Sequence, residues 1–324
     1  NITAQDKMLS VEDAVIGMWR QYRPKQKRNL QWKLNSHDYT FIKGDKLIQS
    51  GVKSEKDEEI INLEQLNKLM KVNDFDELKR FPSIRWIAEN EISFSNNNIK
   101  YLCNIKEREI TQTFKIPEKA KNTDFNADYS AFAFTVKNNL LFSENGKDII
   151  NISNDRNQEI VYGQSIARRE FGISKGTFWS PDNKKLAYYI KDETAVHDYP
   201  LVDITKRIAV VDNTKYPMAG MSSENPSIEI YNINSGKKVK LNVKGDKEQY
   251  LTNLAWTPDS KYILIAVLNR DQDHMKLNLY NAKNGEFIRT IFEESKPASL
   301  QIAFLFFSTF SSSAKAFDMF PTFL

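Results

Sequence analysis

Residue types that carry covalent chemistry are sparse in this chain. Of its 324 residues one is cysteine, Cys103, and three are histidines, His37, His197 and His274, no two of them close in sequence. A lone thiol excludes an intramolecular disulfide and a cysteine-based metal site. A histidine-based metal cluster would have to be assembled entirely by the fold, so no metal and no cofactor is expected. A nucleophile on a sharp strand-to-helix turn of the G-x-S-x-G kind is not expected, since blade-forming sequence offers no rigid elbow to hold one. The stretches from Gly176 and from Gly220 both lack the second glycine. P-loop, G-x-G-x-x-G and H-E-x-x-H patterns are absent too. Binding chemistry is what remains, and its best candidate is Glu170, between Arg169 and Phe171 in the polar segment ARREFG. The structural alternative for this carboxylate is an internal salt bridge to Arg168 or Arg169.

The segment holding Glu170 interrupts a repeat, and the repeat defines the scaffold. Four stretches share one grammar: LQWKLNSHDYTFI from residue 30, IRWIAENEISFS from 84, TFWSPDNKKLAYYI from 177 and LAWTPDSKYILIAV from 254. Each has a Trp, a turn rich in Asn, Asp, Pro or Ser, and an apolar or aromatic strand. Trp32, Trp86, Trp179 and Trp256 therefore occupy one equivalent position, and FNADYSAFAFTV from 125 puts Phe125 there. The pattern reads as strand, tight turn and second strand with alternate residues facing a core. Outer hairpins at 229–243 and 278–292 follow two of these units, with Gly236 and Gly285 at turns that need positive φ. The unit is a four-stranded antiparallel blade, and its recurrence signals an all-β, partial β-propeller rather than a sandwich.

Two helical segments accompany the blades. Residues 10–22 read as an amphipathic helix opened by a Ser10–Asp13 capping box, with Val11, Val15, Met18, Trp19 and Tyr22 on one face. A small helical insertion is expected over 57–80, with Asn62 and Gln65 as its capping pair, packed against a blade edge. The resulting division is 1–29 helical, 30–296 propeller of about five blades, and 297–324 an aberrant apolar tail. Residues 298–314 carry no charge, and seven of the 20 Phe lie between 304 and 323. That apolar run falls short of the ~20 residues of a spanning helix. It reads better as the product of a shifted or truncated frame than as an anchor.

Charge and composition exclude further classes. With 46 basic and 42 acidic residues the net charge is +4, and no basic stripe interleaved with aromatics points to nucleic acid. A hydrophobic content of 40% suffices for a sizeable core. The chain begins at Asn1 without a basic-then-apolar leader. This fits a mature secreted, periplasmic or cell-surface product, and equally a trimmed chain.

The runs VYGQSIARREFGISKGTFWSPDNKKLAYY, DYPLVDI at 198–204, YPMAG at 216–220, and YLTNLAWTPDS with LNRDQDHMKLNLYNAKNGEFIRTIF at 250–292 carry a resemblance. They resemble the N-terminal propeller of dipeptidyl peptidase IV-type serine peptidases of the prolyl oligopeptidase family. More narrowly they are similar to bacterial members that include prolyl tripeptidyl peptidase. The resemblance spans about residues 8–295, beginning with LSVEDAVIGMWRQYRP. It implies an eight-bladed propeller joined to an α/β-hydrolase domain that removes short peptides, usually after proline, from substrate N-termini. It further implies that Glu170 holds the substrate's free α-amine, since a carboxylate opposing an ammonium gives a charge-assisted hydrogen bond. The family's twin-glutamate pattern is not matched, because Arg169 precedes Glu170 directly. Arg169 counts as a further possible substrate contact, and Asn269 with Arg270 as a weaker pair for a substrate carbonyl.

The expectation is thus the substrate-gating propeller of a serine exopeptidase, cut short before its Ser/Asp/His domain and inactive alone. Its partner is a peptide with a free N-terminus, and the resemblance leaves open a homodimer of the full-length enzyme. The alternatives are a non-catalytic propeller that binds peptides or proteins, and a membrane-anchored scaffold using residues 298–324.

Overall fold

The computed structural model describes residues 10–295, apart from residue 25 and residues 53–55. The apolar tail at 297–324 lies outside the described residues. Contacts divide the chain into two compact units, with the division between Lys115 and Ile116.

The first unit opens on α1 (Val11–Val15), where Ser10 Oγ accepts from Asp13 N at 3.0 Å and Ser10 N donates to the Asp13 carboxylate at 3.2 Å. The capping box is the expected one, but the helix expected over 10–22 is shorter. After five residues it gives way to a 3-10 turn at Gly17–Trp19. Glycine is among the weakest helix formers, and a side chain at Gly17 would meet the Tyr22 ring at 2.8 Å. Val11, Val15, Met18 and Trp19 are exposed, so no packed apolar face sustains a longer helix.

Strands β1 (Arg28–Trp32), β2 (Asp38–Lys43), β3 (Lys46–Gly51) and β4 (Glu58–Asn62) form the first antiparallel sheet. The helix α2 (Leu63–Val72) follows, capped by the reciprocal Asn62–Gln65 pair at 2.9 and 3.1 Å. The helical insertion expected over 57–80 is therefore confined to its middle. Its first residues complete the sheet instead, because β-branched Ile61 pairs with Leu47 and is fully buried. Leu66 and Met70 face inward from α2 and share a core with the second sheet, β5 (Arg85–Ala88), β6 (Glu91–Asn96), β7 (Ile99–Asn104) and β8 (Glu109–Lys115).

The second unit starts with β9 (Lys121–Phe125), β10 (Ala131–Val136), β11 (Asn139–Glu144) and β12 (Asp148–Asn151). In the next sheet β13 (Ile160–Tyr162) and β14 (Thr177–Trp179) pair with opposite ends of β15 (Lys185–Asp192). A separate two-stranded hairpin, β16 (Asp198–Asp203) and β17 (Val210–Lys215), leaves the chain before β18 (Asn225–Asn232) and β19 (Lys238–Lys240) complete that sheet. Leu201, Val202, Ile204 and Val211 on or beside the hairpin are exposed. The last sheet is β20 (Tyr250–Trp256), β21 (Tyr262–Leu268), β22 (His274–Asn281) and β23 (Phe287–Ser295). These antiparallel sheets are the blades of a partial β-propeller.

The Trp-turn grammar now has a physical cause. In WSPD, Ser180 Oγ donates to Asp182 at 2.6 Å and accepts from Lys185 N at 2.9 Å, while Asp182 also accepts from Lys184 N at 3.1 Å. In WTPD, Thr257 and Asp259 repeat these bonds at 2.6, 3.1 and 3.1 Å. In the third blade Asn126 replaces the hydroxyl residue and accepts from Ala131 N at 3.0 Å. The tryptophans stitch successive blades. Trp86 Nε1 donates to Thr40 Oγ1 at 2.9 Å, Trp179 Nε1 to Asp124 O at 3.1 Å and Trp256 Nε1 to Phe178 O at 2.9 Å. Trp32, on the first blade, is 62% exposed and its indole has no acceptor among the described residues.

Candidate functional site

Residues 163–176 join β13 to β14, two pieces of what is otherwise one blade strand. The loop is gathered at its neck by a single residue of β15. Gly163 N donates to Tyr189 O at 2.8 Å, and Tyr189 N donates to Gly176 O at 2.9 Å. A side chain at Gly176 would lie 2.3 Å from the Gln164 backbone, so only glycine lets the two ends close. The polar insertion thus leaves the sheet and returns to it without disturbing the register of either half.

Beyond the neck the backbone is unusual. Ala167, Arg168 and Arg169 have φ of 49, 49 and 67°, forming one left-handed turn, and Phe171 follows at 54°. Left-handed backbone costs about 1–2 kcal/mol for each residue with a Cβ, so the surroundings must hold this turn in place. Four anchors do so. Ile166, Ala167 and Ile173 are buried in the core. Ala167 N donates to Glu224 Oε1 at 2.5 Å. Arg168 donates to Lys215 O at 3.0 Å, its guanidinium 5.0 Å from the centre of the Tyr216 ring. Phe171 packs on Tyr250 with ring centroids 4.8 Å apart.

Glu170 stands at the end of this turn in extended backbone, φ −65° and ψ 171°. Its N–H donates to Ala167 O at 2.8 Å, and its carbonyl accepts from Ile173 N at 3.0 Å. The peptide groups on both sides are therefore fixed, while the side chain is exposed. Among the described residues the Glu170 carboxylate makes no ion pair and no hydrogen bond, and neither does the exposed Arg169 guanidinium. The internal salt bridge weighed for Glu170 does not form with either arginine: Arg168 is drawn off to Lys215 and Tyr216, and Arg169 pairs with no carboxylate among the described residues.

Arg270 is tied to the same loop through one intermediate. Its Nη1 donates to Tyr250 Oη at 2.6 Å, and Tyr250 is the ring on which Phe171 rests. Beyond that bond, and a guanidinium–ring distance of 5.6 Å, the half-buried guanidinium has no partner among the described residues. Asn269 is differently placed. Its Oδ1 accepts from Asp273 N and His274 N at 3.1 and 3.0 Å, and its Nδ2 donates to the Asp273 carboxylate at 2.7 Å. Its polar atoms are thus spent on the β21–β22 turn.

Glu224 was not singled out from sequence. It is 8% exposed, immediately precedes β18, and lies 4.0 Å from Lys191 Nζ, which in turn pairs with Glu193 at 2.8 Å. Burial pushes its carboxyl above the usual range, offset in part by the Ala167 N–H and the Lys191 ammonium. Nothing in the run SSEN marks it, since its partner lies 57 residues away. Among the described residues no group of three or more His, Cys, Asp or Glu is placed to hold a metal ion, and no helix is long and apolar enough to cross a membrane.

Comparison with known proteins converges on one family. Residues 84–318 match the sequence model of the dipeptidyl peptidase IV (DPP IV) N-terminal region. That match runs beyond Ser295, where the quoted resemblance ends. A probable dipeptidyl-aminopeptidase B of Pyrenophora tritici-repentis is 26% identical over 181 residues, 49% of this chain and 21% of that protein. A namesake in Chaetomium globosum is 29% identical over 189 residues, 51% of this chain and 20% of that protein. The chain thus spans about a fifth of the length of these relatives. A crystal structure from Bacteroides ovatus, described as a dipeptidyl aminopeptidase IV, superposes with a TM-score of 0.76 at 37% identity. It covers 85% of this chain and 38% of that one. Porphyromonas gingivalis dipeptidyl peptidase 4 shares the fold, with a TM-score of 0.69 at 18% identity over 91% of this chain and 43% of its own. The blade repeat read from the tryptophans and the match from residue 84 onward agree, and the chain belongs to the family of the dipeptidyl peptidase IV N-terminal region.

Proposed function

We propose that these blades are the substrate-recognising part of a serine exopeptidase, in which Glu170 grips the free α-amine of a peptide. The observation that carries this reading is an exposed carboxylate without a protein partner, on a turn whose backbone is fixed from both sides. A surface glutamate with two neighbouring arginines would ordinarily pair with one of them. Here Arg168 is held elsewhere, which leaves the charge available to a ligand. Only a chain end presents an ammonium on the backbone, so the grip measures length from the N-terminus. Arg169 and Arg270 are the groups suited to a peptide carbonyl, whereas Asn269 is occupied by its own turn. The letters G-x-S-x-G occur once, at Gly172–Gly176, but that stretch leads from the left-handed turn into strand β14 and not from a strand into a helix. It forms no nucleophile elbow, so the reading assigns recognition, not bond cleavage, to these residues.

The test is equilibrium binding of an X-X-Pro peptide to the chain, with its amine free or acetylated. A charge-assisted hydrogen bond of about 1.5–3 kcal/mol corresponds to roughly a 10–150-fold preference for the free amine. Glu170→Gln is expected to remove that preference and to leave the acetylated peptide unaffected. Equal binding of the two peptides to the wild-type chain would refute the reading.

A further inference from the structure

We propose that Glu224 is a positioning residue for Glu170, holding the left-handed turn in the one arrangement that presents the amine-gripping carboxylate. The proposal rests on the amine-binding reading above and adds to it a buried second carboxylate that does not touch the peptide.

A glutamate as enclosed as Glu224 is retained at a cost unless its charge meets a donor. Its direct hydrogen bond is to the Ala167 N–H at 2.5 Å, and its nearest cation, Lys191, is 4.0 Å away and closer to Glu193. Its charge is therefore committed chiefly to one backbone amide of the loop. That amide belongs to the first left-handed residue of the turn, φ 49°. The carbonyl of the same residue accepts the Glu170 N–H at 2.8 Å. Two hydrogen bonds on either side of Ala167 thus connect the buried carboxylate to the backbone of Glu170. An alanine has no preference for left-handed backbone, so without Glu224 the chain around Ala167 is free to rotate toward ordinary φ, and Glu170 turns with it. The remaining anchors, the buried Ile166, Ala167 and Ile173, Arg168 on Lys215 O and Phe171 on Tyr250, act through side chains, and none of them gives the Ala167 N–H another acceptor.

Two measurements on the full chain test this, with Glu224→Gln as the mildest variant because it keeps shape and an acceptor oxygen while losing charge. The first is amide hydrogen exchange of the segment 163–176 followed by mass spectrometry. About tenfold faster exchange is expected there, with β20 to β23 unchanged. The second is binding of the free-amine and N-acetylated X-X-Pro peptides. Glu224→Gln is expected to weaken the free-amine peptide about 3–10-fold and to leave the acetylated one alone. It should have no further effect in a Glu170→Gln background. Equal weakening of both peptides, or the same loss in the Glu170→Gln background, would show that Glu224 does not act through Glu170. Unchanged exchange at 163–176 would show that it does not hold the turn. If Glu170→Gln itself leaves the amine preference intact, the amine reading falls and takes the recognition half of the proposal with it. The exchange result then decides separately whether Glu224 fixes the loop.

Discussion

Trp86 and Thr40 offer a measurement of what joins one blade to the next. The indole is 4% exposed and the threonine fully buried, and the bond between Nε1 and Oγ1 is 2.9 Å long. Trp86→Phe removes roughly 40 Å² of ring surface, about 1 kcal/mol, and strands a buried hydroxyl at about 2 kcal/mol. Its expected cost is therefore about 3 kcal/mol. Thr40→Val keeps the volume but leaves the indole N–H unsatisfied, at about 2 kcal/mol. Removing both partners leaves no orphaned group, so the double variant should lose only ring area and the net value of the bond, about 2 kcal/mol together. The sum of the single variants is about 5 kcal/mol, and the coupling is therefore about 3 kcal/mol. Urea unfolding followed by far-ultraviolet circular dichroism gives all three values, with an unchanged m confirming that the same surface unfolds. If the double variant loses as much as the two singles added together, within about 0.5 kcal/mol, the blades are held by packing alone and the stitching role is wrong.

Three other outcomes follow from the structure. Gly176→Ala should destabilise the chain by at least about 2 kcal/mol, because the new methyl meets the Gln164 backbone at 2.3 Å. Gly172→Ala, with φ of 73° but open space around it, should lose only about 1 kcal/mol; equal losses would contradict the neck geometry. Asp182 and Asp259 are pushed up by partial burial, but bonds from Ser180 and Lys184, and from Thr257 and Lys261, outweigh this and hold both carboxyls below the usual range. A depressed carboxyl stabilises the fold above its unfolded value of about 4 and loses that contribution as pH falls through the folded value. Asp182→Asn with Asp259→Asn should therefore flatten the acid limb of a stability–pH curve. Burial pushes the Cys103 thiol up to about 11, so iodoacetamide should label it at least about 100-fold more slowly in the folded chain than in urea.

The parts of this fold that were legible in sequence are those fixed by neighbours along the chain. The W-S-P-D and W-T-P-D turns close on themselves within five residues, through a hydroxyl, a carboxylate and two amides. Their chemistry is written in the order of the letters. The capping boxes at Ser10 and Asn62 are local in the same way. What periodicity misjudged was length: α1 lacks a packed face, and Glu58–Asn62 answers to its strand partner Leu47 instead of to helical spacing. The candidate site divides along the same line. The position of the Glu170 loop was visible because a polar insertion breaks an apolar repeat. Its supports were not, since Glu224, Lys215 and Tyr250 reach it from 57, 47 and 79 residues away in sequence. The hairpin β16–β17 was equally hidden, because it belongs to no repeat.

Each tryptophan clasp points backward. Trp86, Trp179 and Trp256 supply the donor, and the acceptor lies earlier in the chain. During synthesis the earlier blade has already left the ribosome when the later indole emerges. A new blade can then fasten onto finished structure as soon as its own first strand and turn have formed, without waiting for sequence still to come. The stitches thus give the array a direction of growth that matches the order in which it is made.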